Sequence, residues 1–91
     1  MKKNEIMRLI KKVTSMNRIK KVYLFGSFTK KRKNYGDIDI AIEAPPGFTL
    51  LDLSRVANVL EKEIGISVDL ITLKGLNPKL KKIIKKEMVA L

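Results

Sequence analysis

Residues 22–43 read VYLFGSFTKKRKNYGDIDIAIE, and this stretch decides the fold of the 91-residue chain. Its first four residues are apolar or aromatic and stop at Gly26, which is typical of a short buried strand. In its last seven residues, three isoleucines alternate with Asp37, Asp39, Ala41 and Glu43, and a period of two predicts a strand with one apolar face. The polar, basic residues 29–36 lie between the two strands and predict a loop with a turn at Asn34-Tyr35-Gly36.

Helical periodicity flanks this stretch on both sides. Apolar residues recur every three to four positions over residues 3–16 and again over 50–64, so each segment predicts an amphipathic helix. Thr49 and Asp52 match a variant of the capping box at the start of the second helix. Gly65 suits the position just after the end of that helix.

The C-terminal third adds one more strand and one more helix. Residues 66–73 predict a third strand, and Asn77-Pro78 predicts the start of a helix that continues to the C-terminus. The order is therefore α-β-(short α)-β-α-β-α, in which the short helix would begin after Gly26-Ser27. This order predicts an α/β fold with a small sheet covered by helices. We expect a single domain over residues 1–91, because no repeat or linker interrupts the pattern.

The absence of two chemically reactive residue types restricts the chemistry of the chain. Cys and His are both absent. This excludes disulfides, thiol catalysis, the Ser-His-Asp triad and imidazole metal ligands. Any metal must be bound by oxygen, so a hard ion such as Mg²⁺ is expected. No apolar run approaches the roughly 20 residues of a membrane span and no signal peptide is visible, so we expect a cytoplasmic protein without a membrane partner.

The positive charge is concentrated at one end of the sequence. The formal net charge is +11, and residues 1–33 hold twelve Lys and Arg residues but a single acidic residue, Glu5. Residues 34–91 contain equal numbers of basic and acidic residues. Such a block favours a polyanionic partner, which could be a nucleic acid, a nucleoside triphosphate or an acidic protein. A solvated, Lys-rich surface explains the same charge without any partner.

Gly26-Ser27 marks the end of the first predicted strand. Glycine allows a ligand to approach the backbone, and the N–H groups and hydroxyl that follow can bind phosphate oxygens. An ordinary turn after a strand has the same sequence, so the pair alone does not decide between the two.

Three acidic residues lie on two of the predicted strands. Asp37 and Asp39 are two positions apart, so both carboxylates point to one face, where a divalent cation would relieve their repulsion. Asp69 interrupts an otherwise apolar strand, and it would join the pair if its strand lay beside theirs. A solvated strand face and an edge-strand charge that prevents aggregation are the alternatives.

These residues together resemble a known family. The segments LFGS (24–27), GDIDIAI (36–42) and VDLI (68–71) look like the nucleotidyltransferase superfamily related to DNA polymerase β. Its short members are the minimal nucleotidyltransferases, the MNT proteins of HEPN/MNT toxin–antitoxin pairs. The resemblance covers nearly the whole chain and implies a small mixed β-sheet flanked by helices, the polymerase β-like fold.

The resemblance also implies a role for each motif residue. Gly26 and Ser27 would bind the triphosphate of the nucleotide, and Lys30 stands where many relatives carry an Arg that contacts phosphate. A solvated loop lysine is the alternative for Lys30. Three carboxylates would ligate two Mg²⁺ ions, namely those of Asp37, Asp39 and Asp69. Of these, Asp69 would lie on the side of the acceptor hydroxyl.

Two positions depart from the family pattern. Lys31 replaces a second glycine that is common after the Ser, and Gly36 replaces the Ser that usually precedes the first Asp. Both departures lie in the phosphate-binding segment rather than among the carboxylates.

The function that the resemblance implies is transfer of AMP from ATP to a hydroxyl group, with a tyrosine of a HEPN-type toxin as the acceptor. The chain would then be an antitoxin that acts as a protein adenylyltransferase. A non-catalytic antitoxin that masks its partner by contact is the first alternative. A basic nucleic-acid-binding protein is the second, although residues 3–16 contain no aromatic residue for base stacking.

Overall fold

The computed structural model describes residues 1–30 and 36–91. The predicted turn at Asn34-Tyr35 and the departure at Lys31 lie outside the described residues. The helices and strands, in chain order, are α1 (Lys3–Met16), β1 (Lys21–Phe25), β2 (Ile38–Glu43), α2 (Leu50–Ile64), β3 (Val68–Thr72), α3 (Pro78–Glu87) and β4 (Val89–Ala90). Two short 3₁₀ turns, Gly26–Thr29 and Leu73–Gly75, follow β1 and β3.

The four strands form one mixed sheet in the order β3-β2-β1-β4. β1 is antiparallel to both β2 and β4, whereas β2 and β3 are parallel. A parallel pair needs a long crossover, and α2 provides it between β2 and β3. The predicted α/β fold with a small mixed sheet is therefore confirmed.

The core lies on the sheet face that carries the isoleucines of β2. Ile38, Ile40 and Ile42 are completely buried. They form one cluster with residues of the two helices that cover this face, among them Ile6, Ile10 and Leu60. Because side chains alternate along a strand, the acidic residues of β2 are directed to the opposite face.

Local signals define the ends of α2. The Thr49 side chain accepts a hydrogen bond from the Asp52 N–H, and the Asp52 side chain accepts one from the Thr49 N–H, so the predicted capping box is present. Gly65 follows the last turn at φ 79°, in the left-handed conformation that favours glycine.

The C-terminus differs from the sequence prediction. The prediction that the last helix continues to the C-terminus is wrong: α3 ends at Glu87, and the next residues form β4 against β1. The Leu91 N–H donates to the Val22 carbonyl at 2.9 Å. Without β4, the backbone N–H and C=O groups on this edge of β1 would lack hydrogen-bond partners. The apolar residues after α3 supply partners for some of them.

No helix in the described parts of the chain is long and apolar enough to cross a membrane.

Candidate functional site

Two of the predicted acidic residues meet across the parallel pair of strands. Asp39 of β2 is the register partner of Asp69 of β3. Asp37 lies one residue before β2 and is exposed, as is Asp69, whereas Asp39 is half-buried. The third strand thus lies beside the Asp37–Asp39 segment, which is the arrangement that the sequence left open.

Burial and two neighbouring negative charges act on the Asp39 carboxyl. Burial raises the pKa of the Asp39 carboxyl above its ordinary value of 3.8, and the negative charges of Asp69 and then Asp37 raise it further. A cation bound beside Asp39 would offset these negative charges and stabilise its ionised form.

A complete metal cage is not preformed by these groups. Within residues 1–30 and 36–91, no three acidic side chains are close enough together to hold an ion by themselves. Mg²⁺ is commonly bound by one or two carboxylates, several waters and substrate phosphates rather than by protein ligands alone. The oxygen donors of Asp37, Asp39 and Asp69 fit that mode of binding.

Gly26 lies directly against the Asp39 carboxylate. Phe25, the residue before it, is the register partner of Asp39 on β1. Gly26 has φ +75°, and a Cβ atom at this position would overlap Oδ2 of Asp39. Only glycine fits both the backbone conformation and the space, so the first residue of the predicted phosphate-binding pair is also adjacent to the candidate metal ligand.

The residues after Gly26 form a tight 3₁₀ turn. The Thr29 hydroxyl donates to the Gly26 carbonyl at 2.8 Å, and the Lys30 N–H donates to the Ser27 carbonyl at 3.2 Å. Ser27 is half-buried within this turn, and Lys30 is exposed at its end. The structure therefore places Gly26 and Ser27 at the end of β1 beside Asp39, with the Lys30 side chain at the surface.

Sequence reasoning missed two residues that support this region. Lys3 of α1 donates to the carbonyls of Phe28 and Lys30, at 2.9 and 2.7 Å. Glu61 of α2 accepts a hydrogen bond from the Val68 N–H at 2.9 Å, at the start of β3. In the sequence both are charged residues of amphipathic helices, and nothing local distinguishes them from solvated neighbours.

Residues 6–91 match the family described as the nucleotidyltransferase domain. The chain belongs to this family. A relative from Methanocaldococcus jannaschii, provisionally named a protein adenylyltransferase, is 38% identical over 87 residues, which cover 94% of each chain. A second protein with that provisional name from the same organism is 36% identical over 88 residues, covering 93% of this chain and 90% of the relative.

Solved structures show the same fold. One described as a minimal nucleotidyltransferase superposes with a TM-score of 0.81 and 29% identity, covering 100% of this nucleotidyltransferase and 97% of the other chain. A structure of a tri-AMPylated Shewanella oneidensis HEPN toxin in complex with MNT antitoxin gives 0.80 at 23% identity, covering 98% and 71%. These comparisons confirm three predictions from the sequence motifs: the resemblance to minimal nucleotidyltransferases, the polymerase β-like fold and the assignment as a nucleotidyltransferase enzyme.

Proposed function

We propose that this chain, as a single minimal nucleotidyltransferase domain over residues 1–91, transfers AMP from ATP to a tyrosine hydroxyl of a HEPN-type toxin and thereby acts as its antitoxin. The observation that carries the proposal is the position of Asp39, which lies against Gly26 at the end of β1 on one side and is the register partner of Asp69 on β3 on the other. The provisional names of the relatives and the AMPylated toxin of the structural neighbour support AMP as the transferred group.

The proposed metal ligands are the three carboxylates. Asp37, Asp39 and Asp69 would hold two Mg²⁺ ions together with phosphate oxygens of the nucleotide. Bound Mg²⁺ supplies neutralisation of the charge on the phosphate oxygens. The raised pKa of the Asp39 carboxyl is consistent with this role, because the site stabilises the ionised form poorly until a cation is present.

The turn after β1 is the proposed site for the triphosphate. Gly26 lets the nucleotide approach the backbone beside Asp39, and the Ser27 hydroxyl and N–H groups of the turn can donate to phosphate oxygens. Lys30 is exposed at the end of the turn, where its ammonium group can contact a phosphate. Within residues 1–30 and 36–91, Lys30 forms no salt bridge with an acidic side chain.

The reaction that we propose is a direct displacement. The acceptor hydroxyl oxygen forms a bond to the α-phosphorus, the bond to the pyrophosphate oxygen breaks, and pyrophosphate leaves. The proton of the acceptor hydroxyl passes to the carboxylate of Asp69, which is solvent-exposed on the edge strand. The chain contributes positioning and charge rather than a covalent intermediate, which suits a protein without His or Cys.

The test is transfer of labelled AMP from ATP to a purified HEPN-type toxin in the presence of Mg²⁺. We expect the toxin to become labelled by the wild-type protein and by Glu43→Gln, but not by Asp39→Asn. Glu43 is the matched control because it is an acid on the same face of β2, at the end away from the site. Labelling that is unaffected by Asp39→Asn would contradict the proposed metal ligand.

The same experiment separates catalysis from masking by contact. If Asp39→Asn still neutralises the toxicity of the partner without any label, the antitoxin acts by binding alone. Substituting the acceptor tyrosine of the toxin by phenylalanine should abolish labelling, which tests the acceptor independently of the donor site.

A further inference from the structure

The first turn of α1 is hydrogen-bonded to the 3₁₀ turn Gly26–Thr29 and to Lys30, the residue that follows it. The Lys3 ammonium donates to the Phe28 carbonyl at 2.9 Å and to the Lys30 carbonyl at 2.7 Å. It also lies 5.2 Å from the centre of the Phe28 ring. One side chain therefore joins residues that are 25 and 27 positions away along the chain.

These contacts restrain the backbone at Phe28 and Lys30. A lysine ammonium has three donors, and its charge makes its hydrogen bonds to carbonyl oxygens stronger than neutral ones. Phe28 is 2% exposed, so one of the two anchored residues is itself fixed in the core. Lys30 is exposed, and its N–H makes a longer 3.2 Å bond to Ser27. Within the described residues, the bond from Lys3 to the Lys30 carbonyl, at 2.7 Å, is shorter than the bond from the Lys30 N–H to Ser27.

We propose that Lys3 is a positioning residue for the nucleotide. By holding the carbonyls of Phe28 and Lys30, it fixes the turn and the starting point of the Lys30 side chain relative to Asp39. The inference rests on the proposed function, since it takes the turn after β1 as the triphosphate site. Lys3 contacts backbone on the α1 side, so its effect on the nucleotide is through the segment that it holds.

The adjacent lysine provides a matched control. Lys2 carries the same charge one residue earlier, and it is exposed. Its backbone carbonyl accepts the first bond of the helix, from the Ile6 N–H at 3.0 Å, and a change of side chain leaves this carbonyl in place. Lys3→Met and Lys2→Met each remove one positive charge from the same end of α1, but only the first removes the bonds to Phe28 and Lys30.

The experiment compares the wild type, Lys3→Met and Lys2→Met by titration with Mg-ATP, by the kinetics of AMP transfer and by amide hydrogen exchange. For Lys3→Met we expect nucleotide affinity to fall about tenfold and KM for ATP to rise in parallel. We expect kcat to stay within about twofold, because the carboxylates are unchanged. Exchange at the Lys30 amide should accelerate while the amides of β2 stay protected. Lys2→Met should match the wild type in all three measurements.

The outcomes distinguish this inference from the function on which it rests. If the wild type binds and transfers but Lys3→Met behaves like Lys2→Met, the positioning role is wrong and the function stands. If Lys3→Met loses protection throughout the sheet, Lys3 supports the fold in general and the positioning role is likewise wrong. If the wild type itself neither binds nor transfers, the proposed function fails, and the inference fails with it.

Discussion

The Asp39 carboxylate fills the space that a side chain at Gly26 would need. A Cβ atom at position 26 would overlap Oδ2 of Asp39 and lie 3.1 Å from its Cγ. The two residues come from different strands, and the pairing of Phe25 with Asp39 brings them together. The glycine therefore has two separate requirements to meet, a left-handed backbone at φ +75° and the absence of a side chain.

Gly26→Ala should therefore affect activity more than stability alone would explain. Gly65 is the matched position, because it has φ +79° but nothing within 4 Å of a Cβ atom. Each alanine should lower the free energy of unfolding by about 1–2 kcal/mol through backbone strain, measured by urea denaturation. Only Gly26→Ala should also displace the Asp39 carboxylate, which we expect to reduce AMP transfer about 100-fold. Equal activity of the two variants would show that the contact with Asp39 has no catalytic consequence.

The contrast between these two glycines illustrates how far sequence analysis could go. Gly65 follows a helix with a capping box, so local signals alone predicted both its position and the bounds of α2. Gly26 was predicted at the end of a strand, but its contact with Asp39 depends on the pairing of β1 with β2. Sequence patterns predict faces and ends of elements; they do not supply the register between strands.

Asp39→Asn should stabilise the metal-free protein at neutral pH. The pKa of Asp39 is raised in the folded state by burial, by Asp69 and by Asp37, in that order. The folded protein therefore binds this proton more tightly than the unfolded chain does. Protonated Asp39 therefore stabilises the folded state fully when the pH is below 3.8, the ordinary pKa of the group. This stabilisation is lost as the pH rises through the raised pKa of Asp39 in the folded protein. Asparagine has a similar shape and does not ionise, so the variant avoids this loss.

The measurement is the urea midpoint of the wild type, Asp39→Asn and Glu43→Gln between pH 3 and pH 7. The midpoint of Asp39→Asn should exceed that of the wild type at pH 7, and the difference should shrink toward pH 3. Glu43 pairs with Lys21 at 3.7 Å with both side chains largely exposed, so Glu43→Gln should change the stability by less than about 1 kcal/mol. Mg²⁺ should raise the midpoint of the wild type and leave Asp39→Asn unchanged. A wild type as stable as Asp39→Asn at pH 7 would argue against the raised pKa.

Asp69→Asn should slow transfer without weakening nucleotide binding. β3 is an edge strand separated from β1 by β2, so Asp69 lies two strand spacings, about 10 Å, from the strand that ends at the Gly26-Ser27 turn. The proposal puts Asp69 on the acceptor side of the site, away from the triphosphate. We expect kcat to fall about 100-fold or more and KM for ATP to change less than about threefold. Glu63→Gln, an exposed acid on α2, removes the same charge and should leave both constants unchanged. A large rise in KM with kcat retained would instead assign Asp69 to the nucleotide.

Sequence analysis missed several contacts because they join different helices and strands. The wrong extension of α3 to the C-terminus came from its apolar spacing, whereas β4 exists because β1 offers an edge to Val89 and Ala90. Lys3 and Glu61 look like solvated helix residues until their partners arrive from other elements. The three candidate carboxylates were recognisable because strand alternation and resemblance both point to them, while the supporting side chains have neither signal.

Glu61→Ala should destabilise the start of the strand that carries Asp69. The Val68 N–H donates to Oε1 of Glu61 at 2.9 Å, and Val68 is itself buried. The Ser67 carbonyl just before it accepts from the Ile38 N–H, also at 2.9 Å, so both sides of this segment are bonded. Removing the acceptor leaves a backbone donor without its partner, which should lower the free energy of unfolding by about 1–2 kcal/mol.

Glu61→Gln distinguishes the hydrogen bond from the charge. Its amide oxygen can still accept from the Val68 N–H, so its urea midpoint should stay near that of the wild type. Hydrogen exchange should accelerate at the Val68 amide in Glu61→Ala and remain slow in Glu61→Gln. Because Asp69 is the next residue, AMP transfer by Glu61→Ala should fall more than its loss of stability at the assay temperature would explain. If the alanine and glutamine variants unfold at the same urea concentration and transfer AMP equally well, the bond between α2 and β3 does not position Asp69.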